Sequence, residues 1–398
     1  MTPDKVPLII IKYIRSHEFY QLCSTIDNLF ASGPSIIMKS SFRDITRPTL
    51  VLLWISGVLP ISVNKDGSYR FSWISIDTAY AAFAYVGLNI VILEAGKPRV
   101  TKMSEGFEDG LANMFILGLM WPHFVLPPLG VIFTSDFVVY LNQWKDIEKY
   151  FYYLTGKKLE FSNLKILGIA MPVFCILELL FLLIEPFLLE DFTFVDSASL
   201  SLCLLAYNSI TSMWYVQAAV IASTFDQLRD QLIMDLQRNK GVETIRKYRI
   251  LYINACSLVP NYTKSMIPIT ILQMMCVYSN LLLAAYAIAV TLGLTYEIFA
   301  HLYPLMYCVL VCKFICDAGE LINRAAGVLF GERIAALETH SSGAISKEVL
   351  KLMNAVQVIS PNVDIAGYLD LNRKMYTSIV NTTMTHIIIL FQLRGQFH

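Results

Sequence analysis

An all-α membrane protein with seven transmembrane helices is the fold that the sequence predicts, on three observations. The apolar fraction is 56% and the charged fraction 16%, against about 45 to 50% and about 25% in soluble domains. Seven apolar runs each reach the length that a helix rising ~1.5 Å per residue needs to cross most of a ~30 Å hydrocarbon core. Basic residues are spread unevenly over the segments joining those runs, which sets an orientation.

Residues 1–71 read as a polar, partly helical region, cytosolic or interfacial. Met1 to Ser16 is short, mixes Asp4 with Lys5 and lacks a small-residue cleavage site, so it does not read as a signal peptide and the start is expected inside. Leu50 to Val63 is apolar but broken by Gly57 and Pro60 and too short to span. It is expected as an interfacial or re-entrant piece, followed by a turn at Asn64, Asp66 and Gly67.

The seven spans are Ser72 to Ala95, Leu111 to Phe133, Ile166 to Leu189, Ser197 to Thr224, Ser265 to Leu294, Ile298 to Ala318 and Met375 to Leu393. Pro122, Pro127 and Pro128 interrupt the second. With a cytosolic start, the inside segments hold eight basic residues in 1–71, five in 134–165, seven in 225–264 and seven in 313–374. That is 27 of the 31, leaving Lys97, Arg99, Lys102 and Arg394. The asymmetry predicts a cytosolic amino terminus and an extracellular carboxy terminus.

This divides the chain into a cytosolic or interfacial region, 1–71; the first four spans, 72–224; cytosolic helices, 225–262; the fifth and sixth spans, 263–318; further cytosolic helices, 319–374; and the seventh span with an extracellular tail, 375–398. In 225–262, Phe225, Leu228, Leu232, Met234 and Leu236 give a charged helix an apolar side. In 319–374, helices over Glu320 to Thr339 and Ser346 to Val358 flank a Ser341-Ser342-Gly343 break, and Pro361 is a stop. Amphipathic helices of this kind need a partner surface, and another copy or a related subunit is the simplest one.

The last span has no charge before Arg394, yet it is not uniformly apolar. Thr382, Thr385, Ile389, Gln392 and Gln396 recur at steps of three and four and so share a stripe. Hydroxyls and amides cost free energy in hydrocarbon unless bonded or hydrated. Two readings follow: the groups bond neighbouring helices, or they line a water-filled path.

Several classes are disfavoured. Basic and acidic side chains balance at 31 each, so no global field points to nucleic acid. Cys308, Cys312 and Cys316 share one helix face, and packing explains them better than a metal, because one helix cannot close a tetrahedral site. No cluster has catalytic or ligand spacing, so neither enzyme nor cofactor chemistry is expected. A G-protein-coupled receptor has the opposite orientation and carries Asp-Arg-Tyr or Asn-Pro-x-x-Tyr motifs that are missing here. A secondary transporter would repeat the broken second span in its other half, and no such repeat is found.

Four motifs resemble the insect odorant receptor branch of the insect chemoreceptor superfamily. Thr385-His386, five apolar residues and Gln392-Leu393 resemble its carboxy-terminal Thr-Tyr, five apolar, Gln-Phe signature. Leu52 to Pro60 resembles the apolar run before its first span. AGEL at 318–321 resembles its Gly-Asn-Glu-Leu box, with Gly319 in place of Asn. Pro361, Ala366 and Gly367 resemble its lead into the last span; the Trp common after the sixth span is missing from Ala326 to Glu332.

The resemblance implies a tetrameric, ligand-gated, non-selective cation channel in the plasma membrane, on the dendrite of an olfactory neuron. Its pore is walled by the last span, and cytosolic helix ends form a shared anchor. This chain resembles a ligand-tuning subunit, paired in a heterotetramer with a longer odorant co-receptor subunit. Carried onto this sequence, Ile389 is the hydrophobic gate, with Gln392 and Leu393 beside it and Thr382 and Thr385 on the same wall.

A pocket for a small volatile ligand is expected in the outer half of the bundle, among the second, third, fourth and sixth spans, a place the resemblance also implies. By depth its candidates are Phe115, Leu119, Trp121 and His123; Glu178, Phe181 and Glu185; Leu204, Tyr207, Asn208 and Thr211; and His301, Tyr303, Met306 and Tyr307. Aromatic walls with few polar groups suit apolar ligands bound by burial plus one or two hydrogen bonds. Glu178 and Glu185 share a face of the third span, where charge is costly and marks either function or a bonded packing residue. Lys313 and Asp317, four apart, are expected to pair.

Overall fold

The structure is a computed structural model that describes residues 41–103, 107–184, 193–238, 240–290, 297–338, 343–359, 361–365 and 369–396. Glu185 and the Ala366-Gly367 pair lie outside the described residues, as do Thr339 and the Ser341-Ser342 break. Long helices build the described chain, with two short hairpins between them.

Helix α1, Ser41–Ile55, includes residues well before the apolar run foreseen at Leu50. The Glu148 carboxylate accepts from the Phe42 backbone N–H at 3.0 Å and from the Ser41 hydroxyl at 3.1 Å, which ties α1 to a residue far along the chain. The run then leaves the helix. Gly57 takes φ +71°, a conformation that costs glycine least, and the chain enters a hairpin of β1, Ser62–Val63, and β2, Tyr69–Arg70. The foreseen interfacial piece is therefore half helix and half turn and strand.

Helix α2, Ile76–Lys102, is capped by Ser75, whose hydroxyl accepts from the Thr78 N–H at 3.2 Å. The second span is two helices, α3, Phe107–Met120, and α4, Leu126–Thr155, joined by a 3-10 turn over Trp121–Phe124 and bent by 44°. The prolines that interrupt the sequence fall on this bend, where each removes a backbone donor. Helix α5, Lys165–Ile184, follows. Next come α6, Phe194–Gln237, of 44 residues, and α7, Val242–Val290, of 49. Helix α8, Glu297–Asn323, runs through a π turn, Arg324–Val328, into α9, Leu329–Glu338. Helix α10, Gly343–Ile359, and a hairpin of β3, Asp364–Ile365, with β4, Leu369–Asp370, lead to α11, Arg373–Gln396.

By length and apolar composition alone, three described helices can cross a membrane, or four if the bent pair counts as one span. Helix α6 is outside that set although it is the centre of the bundle, packed by α1, α2, α5, α7 and α8. It meets neighbouring helices rather than lipid, so it can carry Ser199, Ser209, Thr211, Ser212 and Gln217 buried along its length. Several of their hydroxyls bond the carbonyl one turn back, as Ser209 does to Leu205 at 2.6 Å.

The long α6 and α7 carry the spans beyond the apolar zone, and there the structure corrects one expectation. Phe225, Leu228 and Leu232 are buried by the chain itself at 1%, 1% and 0% exposure, while Met234 of the same side stays 36% exposed, so no second copy is needed to cover the first three. The same end is tied by the Tyr248 hydroxyl donating to Asp235 at 2.7 Å and by Arg249 pairing with Glu348 at 2.9 Å. Burial, together with the Asp235 carboxylate, pushes the Tyr248 phenol up from its ordinary value. The π turn leaves the Ala326 carbonyl accepting from the Tyr252 hydroxyl at 3.0 Å.

Gly319, the odd residue of the AGEL box, has a packing reason. A Cβ there would run into the Leu371 carbonyl oxygen of the chain entering α11. Gly319→Val is expected to cost about 1 to 3 kcal/mol, read as a lower unfolding midpoint of the detergent-solubilised chain.

Candidate ligand site and pore helix

Three of the foreseen pocket residues, from three helices, join in one hydrogen-bonded chain. Asn208 of α6 donates from its amide to Glu178 of α5, and its carbonyl oxygen accepts from the Tyr307 hydroxyl of α8 at 3.0 Å. Glu178, Asn208 and Tyr307 are 6%, 6% and 9% exposed. The amide thus uses both its ends to tie a buried acid to a phenol, the kind of satisfied network that a low-dielectric interior requires.

A second group lies beside it on α6. His123, in the bend of the second span, is fully buried; its Nε2 is 2.9 Å from the Cys203 carbonyl, and its ring meets Tyr207 edge-on at 5.0 Å. Thr211 donates to the Tyr207 carbonyl at 3.1 Å and accepts from Gln273 of α7 at 2.7 Å. Leu119 and Leu204 are buried nearby in the same core. Trp121 and Met306, at 48% and 50% exposure, face out of the protomer. Phe115, Phe181, His301, Tyr303 and Leu393 belong to described helices, but their side chains lie outside the description.

Two residues of α7 were missed. Gln273 and Asn280 are 0% and 1% exposed. Gln273 Oε1, Asn280 Oδ1 and the Tyr207 hydroxyl are buried with no hydrogen-bond partner among the described residues. An unsatisfied buried polar group costs about 1 to 3 kcal/mol, so Tyr207 of α6 with Gln273 and Asn280 of α7 form a polar seam in an otherwise apolar core. The sequence signal was Thr270, Gln273 and Asn280 at helical spacing inside an otherwise apolar span.

Helix α11 packs on α7 and α8. Thr383 is 5% exposed, and Met375, Tyr376 and Ile379 pack beside it against the core. At ~100° per residue, Gln392, Thr385 and Ile389 stand about 180°, about 160° and about 120° around the helix from Thr383, and Thr382 about 100°, on the flank next to Ile389. All four are exposed in the protomer, Ile389 at 45%. His386 turns back, with Nδ1 2.8 Å from the Thr382 carbonyl and 3.5 Å from the Tyr278 hydroxyl of α7. At the other end Asp317 of α8 pairs with Lys313, as foreseen, and also with Arg373 of α11 at 2.8 Å. One carboxylate thereby pins the start of α11 to α8.

Comparison with known proteins follows the same lines. The family described as 7tm Chemosensory receptor matches residues 46–394. Gustatory and odorant receptor 22 of Anopheles gambiae is 23% identical, the match covering 89% of this chain and 79% of that protein. Gustatory and odorant receptor 21a of Drosophila melanogaster is 24% identical over 89% and 81%. The olfactory receptor OR5 of Machilis hrabei shares the fold, with a TM-score of 0.58 at 11% identity over 88% of this chain and 97% of that one. Its complex with eugenol gives 0.63 at 12% identity over the same shares.

Proposed function

The chain belongs to the 7tm chemosensory receptor family, and from that premise we propose that it is a ligand-tuning subunit of a ligand-gated, non-selective cation channel of the plasma membrane. It binds a small volatile molecule within the bundle and assembles with an odorant co-receptor subunit around a shared pore walled by α11. The amino terminus is cytosolic and the carboxy terminus extracellular, as the basic residues favour.

The observation that carries this reading is the placement of Thr385, Ile389 and Gln392 away from the packed face of α11, with Thr382 on the flank beside Ile389. The Thr385 hydroxyl donates to the Asn381 carbonyl one turn back at 3.0 Å, which leaves the Gln392 amide, turned away from the packed face, as the group that most favours an aqueous path. Lipid solvates amides poorly, whereas an aqueous path lined by several subunits wets them. The polar seam at Tyr207, Gln273 and Asn280, with the Glu178–Asn208–Tyr307 chain beside it, supports a ligand that combines an apolar body with one or two polar atoms. The eugenol bound by the Machilis receptor is such a molecule.

Expression with and without a co-receptor, with recording of volatile-evoked current, tests the proposal. Current that requires the pair and persists when G-protein signalling is blocked is expected; current that needs G proteins overturns it. In the same assay Asn208→Leu breaks both bonds of the buried chain and is expected to raise the half-maximal ligand concentration about tenfold, one lost hydrogen bond to a charged group being worth roughly 1.5 kcal/mol or more. An unchanged dose–response curve removes Asn208 from the site.

A further inference from the structure

A cavity of about 350 Å³ lies between α1, the first hairpin and α2. One wall is a single stripe of α1, with Arg43 and Arg47 at its amino end and Leu50, Val51 and Trp54 following at steps of three and four. The stripe therefore grades from guanidinium to hydrocarbon to aromatic over ~16 Å of helix axis. Ser62, Tyr69 and Asp77 close the far side.

Asp77, the one carboxylate on the lining, sits at the aromatic end and is already engaged. It accepts from the Trp54 indole N–H at 3.0 Å and from the Ser62 hydroxyl. Trp54 is also held by stacking on Tyr80 at 4.8 Å, while the Tyr80 hydroxyl donates to the Ile55 carbonyl at 2.8 Å. The aromatic end is thus rigid, and the two guanidinium groups of the lining stand at the other end.

The surface next to the lining residue Asp77 is itself apolar. On the α2 side of the groove's apolar end, Ile76, Phe83 and Val86 are 89%, 78% and 55% exposed, and Trp73 and Ile74 beside them 63% and 96%. Apolar side chains so exposed in a membrane protein are covered by acyl chains, and tryptophans mark the headgroup level.

From this gradient we propose that the groove is a binding site for an anionic phospholipid of the adjacent leaflet. Arg43 and Arg47 take the head-group phosphate, and Leu50, Val51 and Trp54 take the glycerol and the upper acyl chain. A guanidinium suits the task because its fork of donors matches phosphate oxygens, and basic pockets between membrane helices are established head-group sites. The occupant ties α1 to α2, and so sets the angle at which the amino-terminal region meets the bundle. The assignment does not depend on the pore or on the volatile ligand.

The test uses the full chain in vesicles of phosphatidylcholine doped with phosphatidylserine, with a photoreactive side chain in place of Val51, which is 44% exposed. Capture of phosphatidylserine in excess of its share of the bilayer is expected. Arg43→Gln and Arg47→Gln should each reduce that capture roughly fivefold, and Arg→Lys by less, since a charge near the surface is worth about that much to an anionic lipid. An unfolding midpoint equal to that of the parent chain separates loss of the site from loss of the fold. Capture in proportion to bulk composition, or unchanged in the double glutamine variant, overturns the proposal. So does full protection by millimolar inorganic phosphate, which would make this a soluble-anion site, or cross-linking mainly to the chain's own residues 1–40.

Discussion

Replacing Ile389 with alanine is expected to raise the current that flows without ligand by about tenfold relative to surface protein, a factor that needs only ~1.4 kcal/mol between closed and open states. On the proposed reading Ile389 is the branched, apolar member of a row otherwise made of Thr382, Thr385 and Gln392, all turned away from the helices that α11 packs on. A narrow ring of such side chains stops ions by dewetting, and trimming it lets water persist. Gln392→Leu acts in the opposite sense, lengthening the dry zone and lowering the maximal current. Met384, exposed at 57% but on the other flank, about 140° around the helix from Ile389, is the control; Met384→Ala should leave the resting current where it was. Whole-cell recording of the three variants with the co-receptor is the measurement. A resting current that rises as much in Met384→Ala as in Ile389→Ala removes Ile389 from the gate.

Arg99→Met is expected to be the most damaging single change outside the pore. Arg99 of α2 pairs with Asp196 of α6 at 3.0 Å, with side chains only 11% and 7% exposed, and also donates to Asn113 of α3 at 3.2 Å. The other oxygen of Asp196 accepts from the Thr193 N–H and hydroxyl at 3.1 and 2.6 Å, closing the capping box that starts α6. Removing the cation leaves a buried carboxylate with half its partners gone, a change that costs about 3 to 5 kcal/mol. The expected result is a sharp loss of surface protein and of the unfolding midpoint. The double change Arg99→Met with Asp196→Leu should recover part of both, because no unpaired charge then remains buried. Surface expression and midpoint equal to the parent in Arg99→Met would show that the pair adds nothing to the bundle.

The foreseen and the unforeseen parts of this fold divide by how far apart the interacting residues lie in the chain. The bend at Pro122, the run of α6 on past Thr224 and the stripe from Thr382 to Gln392 each depend on residues within a turn or two of one another. A missing backbone donor, an unbroken apolar period and a polar period of three and four are local quantities, so they could be read directly. The family, too, was legible from short motifs such as AGEL and the pair of ends Thr385-His386 and Gln392-Leu393.

The pocket shows where such reading stops. Glu178, Asn208 and Tyr307 could each be singled out as polar or aromatic groups in apolar runs, but nothing local says that one amide bridges the other two. Gln273 and Asn280 carry no local mark of what their amides meet; only placement shows an oxygen of each left over. Phe225, Leu228 and Leu232 illustrate the converse: an amphipathic period announces that a face will be covered, and it is silent about whether the same chain or another one covers it.

Composition, span lengths and local periods were thus enough to place this chain in the bilayer as a helical bundle with one polar-striped final helix, since the cost of exposing backbone to hydrocarbon admits few alternatives. Which side chains meet across that bundle was decided in three dimensions, as with Arg99 and Asp196 or the close approach of Gly319 to Leu371. The reason is that lipid gives helices little incentive to choose one another, so their pairing rests on shape and on a few long-range polar bonds whose two halves carry no mark of each other in the chain.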